Sequence, residues 1–169
     1  MGGDQAKQFM DLDGRPLLAV TLERFERSAE IEGIVLVVPS DKVDFCREAI
    51  VEKYELRKVV KVLPGGMRRQ DSVRLGLEAT EGRYPVVLIH DGVRPLVPPD
   101  LISRIVKAMS RDRAVIPALA AKETIKEADR NGLVVKTHDR SGLWLVQTPQ
   151  AFRFDDILNA HRRALEEKW

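Results

Sequence analysis

The chain has 169 residues, of which 44% are hydrophobic and 32% charged, and a formal net charge of +2. This length fits one globular domain, no apolar run reaches the roughly 18–20 residues of a membrane-spanning helix, and the N-terminus lacks a signal-peptide pattern. The single cysteine, Cys46, excludes an intrachain disulfide and a cysteine-based zinc site. The small, dispersed positive charge argues against a nucleic-acid partner, so we expect a protein of the reducing cytoplasm with neither a nucleic-acid nor a membrane partner.

Short apolar runs alternate with amphipathic stretches along most of the chain. The apolar runs predict strands over 34–38, 59–63, 86–89 and 114–118. The amphipathic stretches predict helices over 16–28, 40–54 (with Ser40 as N-cap), 70–80, about 101–109 and 155–168. Such alternation favours βαβ units and a mostly parallel sheet with helices on both faces. We therefore predict one three-layer α/β domain over residues 1–169.

One region interrupts this alternation with a hairpin pattern. The β-prone runs 124–128 and 133–137 flank Asn131-Gly132, a dipeptide typical of tight hairpin turns. The hairpin is polar over much of its surface, and an isolated hairpin is marginally stable in water. We therefore predict a β-arm over about 122–146 that projects from the body and packs on a second subunit.

The strand predicted over 86–89 ends in a group of polar residues, His90-Asp91-Gly92-Val93-Arg94-Pro95. In open α/β sheets, ligands bind at the carboxyl ends of the strands. Asp91 and Arg94 would place a carboxylate and a guanidinium at that edge, which suggests a site for a metal ion and an anion. An ordinary Asp-Gly turn with a surface arginine explains the same residues.

Two further stretches combine permissive backbone with charge. Gly2 and Gly3 with Lys7 form a loop that fits a phosphate, although a frayed terminus has the same composition. Gly65 and Gly66 precede a predicted helix, where free N–H groups favour an anion or a ligand edge.

The second of these stretches matches neither a Walker loop nor a dinucleotide-binding fingerprint. A helix-capping turn accounts equally well for its Asp71 and Ser72. The scattered serines and three histidines form no nucleophile–base set and no metal-ligand cluster. Phosphoryl or nucleotidyl transfer needs no such set, because cations, backbone donors and a carboxylate for Mg²⁺ suffice.

Five motifs in order carry a family resemblance over essentially the whole chain. They are 7–9 (KQF), 64–73 (PGG and RQDSV), 90–95 (HDGVRP), 139–144 (DRSGLW) and 147–152 (QTPQAF). Together they resemble 2-C-methyl-D-erythritol 4-phosphate cytidylyltransferases of the non-mevalonate isoprenoid pathway. The resemblance implies a Rossmann-like nucleotidyltransferase fold and a homodimer interlocked through the β-arm.

The resemblance also implies site residues. Lys7 and Asp91 would be catalytic, and Asp91 would bind Mg²⁺. The residues implied to bind CTP are Gly2, Gly3, Lys7, Gly65, Gly66, Arg69, Ser72 and Asp91. Those implied to bind methylerythritol phosphate are Asp91, Arg94, Thr124, Arg140 and Thr148, with Thr124 and Arg140 reaching the neighbouring subunit's site.

The implied reaction is in-line attack by the acceptor phosphate on the α-phosphorus of CTP, which releases pyrophosphate. Members of this family begin with a strand and a glycine-rich arginine loop, of which Met1-Gly2-Gly3 matches the end, and a Lys-Val-Thr segment would follow Trp169. We therefore expect a chain shortened at both ends that is inactive by itself. Ribitol-5-phosphate cytidylyltransferase and a non-catalytic nucleotide- or phosphosugar-binding domain remain alternatives, and fusion to a cyclodiphosphate synthase domain stays open.

Overall fold

The structure is a computed structural model that describes residues 6–169. Gly2 and Gly3, predicted to bind the triphosphate, lie outside the described residues. The helices are α1 (Leu17–Glu26), α2 (Val43–Cys46), α3 (Arg69–Ala79), α4 (Pro99–Ala108) and α5 (Phe154–Glu166). The strands are β1 (Ile34–Val38), β2 (Val59–Pro64), β3 (Val86–Ile89), β4 (Ala114–Val115), β5 (Ala118–Ala120), β6 (Lys126–Ala128), β7 (Val134–Thr137), β8 (Trp144–Val146) and β9 (Gln150–Arg153).

The first part of the body is built on a parallel pair of strands. β1 pairs with β2 from Ile34 opposite Val59 to Val38 opposite Pro64. The apolar face of α1 packs on this pair through Leu18 and Leu22, in a cluster that also contains Cys46. Burial raises the pKa of the Cys46 thiol to about 11, as expected of a structural core cysteine.

The second part of the body is a three-stranded sheet in the order β3–β9–β4. Its central strand, β9, is antiparallel to both neighbours, with Leu88 and Val115 each opposite Ala151. The predicted α/β fold is confirmed, with a parallel pair in β1–β2, but where a mostly parallel sheet was predicted, both ladders of β9 are antiparallel. β9 was not predicted, because four residues between Pro149 and a helix show no period of their own.

The predicted strand 114–118 is two strands with different partners. β4 pairs with β9, whereas β5 pairs with β8 in a separate two-stranded ladder. Pro117 lies between them and has no N–H to donate, so a single ladder cannot continue through it.

The predicted helix 40–54 is also irregular, and Ser40 is not its N-cap. Pro39 occupies the capping position, and the segment passes from a 3₁₀ turn at Ser40–Lys42 through α2 to a π-helical stretch at Arg47–Glu52. Its buried residues Cys46 and Ile50 nevertheless face the core, as the amphipathic pattern predicted.

The predicted hairpin is confirmed, with slightly shorter strands. β6 pairs with β7, and Gly132 takes a positive φ of 81° in the turn. The Asp129 carboxylate accepts hydrogen bonds from the backbone N–H groups of Asn131 and Leu133, both at 2.9 Å. All strand residues of this hairpin are exposed, so the hairpin projects from the body.

Candidate active site at the end of β3

Asp91 lies just beyond β3, and two arginines contact its carboxylate from different elements. Arg69, the first residue of α3, donates to Asp91 Oδ1 from Nε at 3.1 Å and from Nη2 at 2.8 Å. Arg94 donates from Nε to Asp91 Oδ2 at 3.0 Å. Both oxygens of the carboxylate therefore have a cationic partner.

These contacts set the charge state of Asp91. Partial burial alone would raise the pKa of Asp91, but the hydrogen bonds and positive charges of Arg69 and Arg94 outweigh it and hold the pKa below its usual value. The side chain is ionised at neutral pH. A carboxylate paired with two arginines thus lies at the carboxyl end of a strand, where α/β folds bind ligands.

Arg94 is positioned by contacts along its whole length. Its backbone N–H donates to the Asp91 carbonyl at 3.0 Å, and its Nη1 donates to the Gln147 side-chain oxygen at 2.6 Å. A guanidinium presents five donors, and those contacts leave several of them free for a phosphate. Arg94 is 43% exposed, so a ligand can reach it.

Thr148 and His90 connect the backbone at Asp91 with that at Arg94. The Asp91 N–H donates to the Thr148 hydroxyl at 3.3 Å, and this hydroxyl lies 2.9 Å from His90 Nδ1. His90 Nε2 lies 3.1 Å from the Arg94 carbonyl oxygen. Burial lowers the pKa of His90, which favours its neutral form.

Helix α1 supports the loop 90–95 from behind. The buried Thr21 hydroxyl is 3.0 Å from the Gly92 carbonyl, and Arg24 Nε donates to the Pro95 carbonyl at 3.2 Å. The Phe25 ring lies 4.8 Å from the imidazole of His90. A Cβ on Gly92 would lie 3.0 Å from Leu18 Cδ1, so glycine lets this loop approach the helix.

The glycine turn before α3 packs closely against the start of that helix. The Gly66 N–H donates to the Ser72 hydroxyl at 3.1 Å, and a Cβ on Gly65 would lie 2.6 Å from the same oxygen. Asp71 accepts a hydrogen bond from the Arg68 N–H at 3.1 Å, which is the helix-capping role left open by the sequence. The turn thereby fixes the start of α3, which carries Arg69 to Asp91.

The structure brings together Arg69, Asp91, Arg94 and Thr148, with Gly65, Gly66 and Ser72 in the turn at the start of α3. Lys7 is exposed in a 3₁₀ turn (Lys7–Phe9), and within residues 6–169 no hydrogen bond or ion pair joins it to Asp91. Thr124 is exposed before β6, and Arg140 donates to the Lys122 carbonyl. Among residues 6–169, no hydrogen bond or ion pair joins Thr124 or Arg140 to Asp91 or Arg94.

Sequence reasoning missed two residues of this network, His90 and Gln147. Both belong to motifs that were recognised, but each is a single polar residue whose partner lies more than 50 positions away. No spacing rule indicates such a contact.

In the described part of the chain, no group of three or more His, Cys, Asp or Glu side chains forms a metal cluster.

At the end of β3, a carboxylate lies between two arginines, beside a glycine turn that opens into a helix. Together with the α/β fold, this site indicates an enzyme of the nucleotidyltransferase class. The family model of 2-C-methyl-D-erythritol 4-phosphate cytidylyltransferase matches residues 1–169. The chain belongs to this family and is a cytidylyltransferase.

Individual relatives agree with this assignment. The chain is 44% identical to the 2-C-methyl-D-erythritol 4-phosphate cytidylyltransferase of Geobacter metallireducens, over the whole chain and 74% of that protein. It is 46% identical to a bifunctional IspD/IspF enzyme of Desulforudis audaxviator, over 98% of the chain and 42% of that protein. The crystal structure of 4-diphosphocytidyl-2C-methyl-D-erythritol synthase from Anaerococcus prevotii superimposes with a TM-score of 0.85 at 32% identity, over 97% of this chain and 71% of that one.

Among residues 6–169, no helix is long and apolar enough to cross a bilayer.

Proposed function

We propose that the protein transfers the cytidylyl group of CTP to 2-C-methyl-D-erythritol 4-phosphate, giving 4-diphosphocytidyl-2-C-methyl-D-erythritol and pyrophosphate in the cytoplasm. The observation that carries the proposal is the ionised Asp91 carboxylate, held between Arg69 and Arg94 at the end of β3. Such a group beside cationic donors suits a reaction in which phosphate charge builds up and moves.

Arg94 and Thr148 would bind the acceptor, and Arg69 with the Gly65-Gly66 turn and Ser72 would bind the nucleotide. Gly2, Gly3 and Lys7 would contribute to the triphosphate site. The attacking oxygen belongs to a phosphate that is already anionic at neutral pH, so in-line attack on the α-phosphorus needs orientation and charge stabilisation rather than a base. The arginines supply both, because a guanidinium fixes a phosphate through paired hydrogen bonds.

The residues present fit Mg²⁺. Mg²⁺ is usually held by one or two carboxylates together with substrate phosphates and waters, and the ionised, partly exposed Asp91 supplies one such oxygen ligand. When bound, the ion would neutralise charge on the triphosphate. Because Arg69 and Arg94 already surround Asp91, we expect the metal to bind together with the nucleotide rather than before it.

We also propose that residues 1–169 form a single domain whose arm, about residues 122–146, binds a second copy of this chain. The ladders β5–β8 and β6–β7, with the turn between β6 and β7, carry several exposed apolar side chains. They include Leu119 (63% exposed), Leu133 (66%), Val134 (60%), Val135 (59%) and Trp144 (60%). Burial of such surface favours association, and a second copy would place Thr124 and Arg140 beside the partner's strand-end site.

The test of the proposed function is turnover by the protein with CTP and one of two acceptors. With methylerythritol phosphate and Mg²⁺, phosphorus NMR should show release of pyrophosphate and formation of the cytidylylated product, and EDTA should stop the reaction. Turnover of ribitol 5-phosphate alone would reject the proposed acceptor. Binding of CTP without turnover of either acceptor would indicate a non-catalytic nucleotide-binding protein.

A further inference from the structure

We propose that His90 is a positioning residue, which holds the Thr148 hydroxyl and the Arg94 backbone in a fixed relation to Asp91. This inference rests on the proposed function, because it concerns how the acceptor-binding residues are oriented. In this proposal, His90 contacts neither the nucleotide nor the acceptor. It acts through the two residues that it connects.

The hydrogen-bonding groups determine the direction of each bond in this network. The Arg94 carbonyl can only accept, so His90 Nε2 carries the hydrogen and donates to it over 3.1 Å. Nδ1 of the neutral ring is then an acceptor, and the Thr148 hydroxyl donates to it over 2.9 Å. The Thr148 oxygen in turn accepts from the Asp91 N–H at 3.3 Å.

The chain of donors therefore runs from the Asp91 N–H through Thr148 and His90 to the Arg94 carbonyl. It closes a ring, because the Arg94 N–H donates back to the Asp91 carbonyl at 3.0 Å. The Thr148 hydrogen is committed to His90, while its oxygen keeps a second lone pair. Thr148, which is 8% exposed, is thereby held beside the Asp91 N–H, and the 43% exposed side chain of Arg94 is left to bind the phosphate.

The imidazole itself is held in place by packing. His90 follows the last residue of β3, and its ring lies 4.8 Å from the Phe25 ring at 50°. Thr21 and Arg24 hold the neighbouring carbonyls of the loop independently of His90. Loss of the two imidazole hydrogen bonds should therefore disturb the orientation of Thr148 and Arg94 while the loop stays in place.

Three substitutions distinguish the effects of the two imidazole hydrogen bonds from each other and from the effect of ring packing. His90→Phe keeps a ring against Phe25 but removes both bonds. His90→Asn retains a polar atom near the position of Nδ1, where it can reach Thr148. His90→Gln retains one near the position of Nε2, where it can reach the Arg94 carbonyl.

Steady-state kinetics with both substrates, together with calorimetric CTP binding, gives the functional result. His90→Phe should lower kcat/KM for the acceptor by about 10- to 100-fold, as loss of a supporting hydrogen bond does, and change CTP affinity by less than about twofold. Asn and Gln should each recover part of the loss. Wild-type kinetics in His90→Phe, or equal losses for all three variants together with lowered melting temperatures, would overturn the proposal.

A measurement independent of turnover keeps this inference separate from the proposed function. Nitrogen-15 NMR of the free protein should show the neutral His90 ring with its hydrogen on Nε2, and Thr148→Val should shift the Nδ1 resonance. A ring with the hydrogen on Nδ1 would overturn the assignment, whatever reaction the enzyme catalyses. If the NMR result holds and neither acceptor is turned over, the proposed function fails and the hydrogen-bond network stands.

Discussion

At the end of β3, Asp91, Arg94 and Thr148 each have at least two hydrogen-bond partners in the same chain, whereas the strand residues of the arm hairpin are all exposed. The strand-end residues are oriented before any ligand arrives. Thr124, in the loop before β6, and Arg140, after β7, are likewise exposed. The strand-end part of the site is thus preorganised, whereas the arm residues are held by few contacts. We expect this difference when the arm completes its part of the site on another subunit.

The largest predicted effect comes from the preorganised half. Asp91→Asn keeps the shape of the side chain but removes the charge that would bind the metal and that Arg69 and Arg94 now contact. We expect kcat to fall by about 10²–10³-fold or more, as when a charge-stabilising group is removed from an active site. Steady-state assays check this, with Asp156→Asn as the control.

Asp156 is a suitable control because it also pairs with an arginine, Arg113, but lies on α5 away from the site. Its substitution should leave kcat unchanged. Equal loss in the two variants would mean that Asp91 has no special role at the strand end.

The next prediction compares stability in the body and the arm. Ile102 is fully buried under β3, so Ile102→Ala should lower the free energy of unfolding of the monomer by about 2–5 kcal/mol. Val135 is 59% exposed, and Val135→Ala should change it by less than about 0.5 kcal/mol. Denaturant unfolding at low protein concentration measures both. A large loss for Val135→Ala would place the arm in the folding core.

A smaller effect tests the charge environment of Asp91. Burial raises the pKa of Asp91 and its two arginines lower it, so Arg69→Ala should move this pKa upward. Carbon-13 NMR titration of the carboxyl group measures the change. The neighbouring Arg68 pairs with Asp71 instead, so Arg68→Ala should raise the pKa of Asp71 and leave that of Asp91 unchanged. If the pKa of Asp91 were unchanged in Arg69→Ala, Arg69 would not belong to the site.

The sequence predicted the parts of this molecule that local patterns determine. The apolar run 86–89 ending in polar residues correctly located Asp91 and Arg94 at a strand end, and Asn131-Gly132 correctly located the hairpin turn. Arg69 was predicted only through the family resemblance, since the turn before α3 also fits simple capping. The contact between Arg69 and Asp91 depends on tertiary packing across 22 residues.

What the sequence could not predict depends on partners distant in the chain. β9 is a strand because β3 and β4 lie on either side of it, not because of its own pattern. The π-helical stretch at Arg47–Glu52 follows an ordinary amphipathic period. Pro117 inside the apolar run 114–118 is the one local signal that divides β4 from β5, because proline interrupts a strand ladder.

The most direct test of the account is activity in a mixed dimer. Asp91→Asn and Arg140→Ala subunits, carrying different tags, are coexpressed, and the heterodimer is purified. If Arg140 serves the partner's site, one of the two sites in the heterodimer has both residues intact. We predict nearly inactive homodimers and a heterodimer with about half the wild-type activity. A heterodimer as inactive as the two homodimers would contradict the account, because Arg140 would then serve its own subunit.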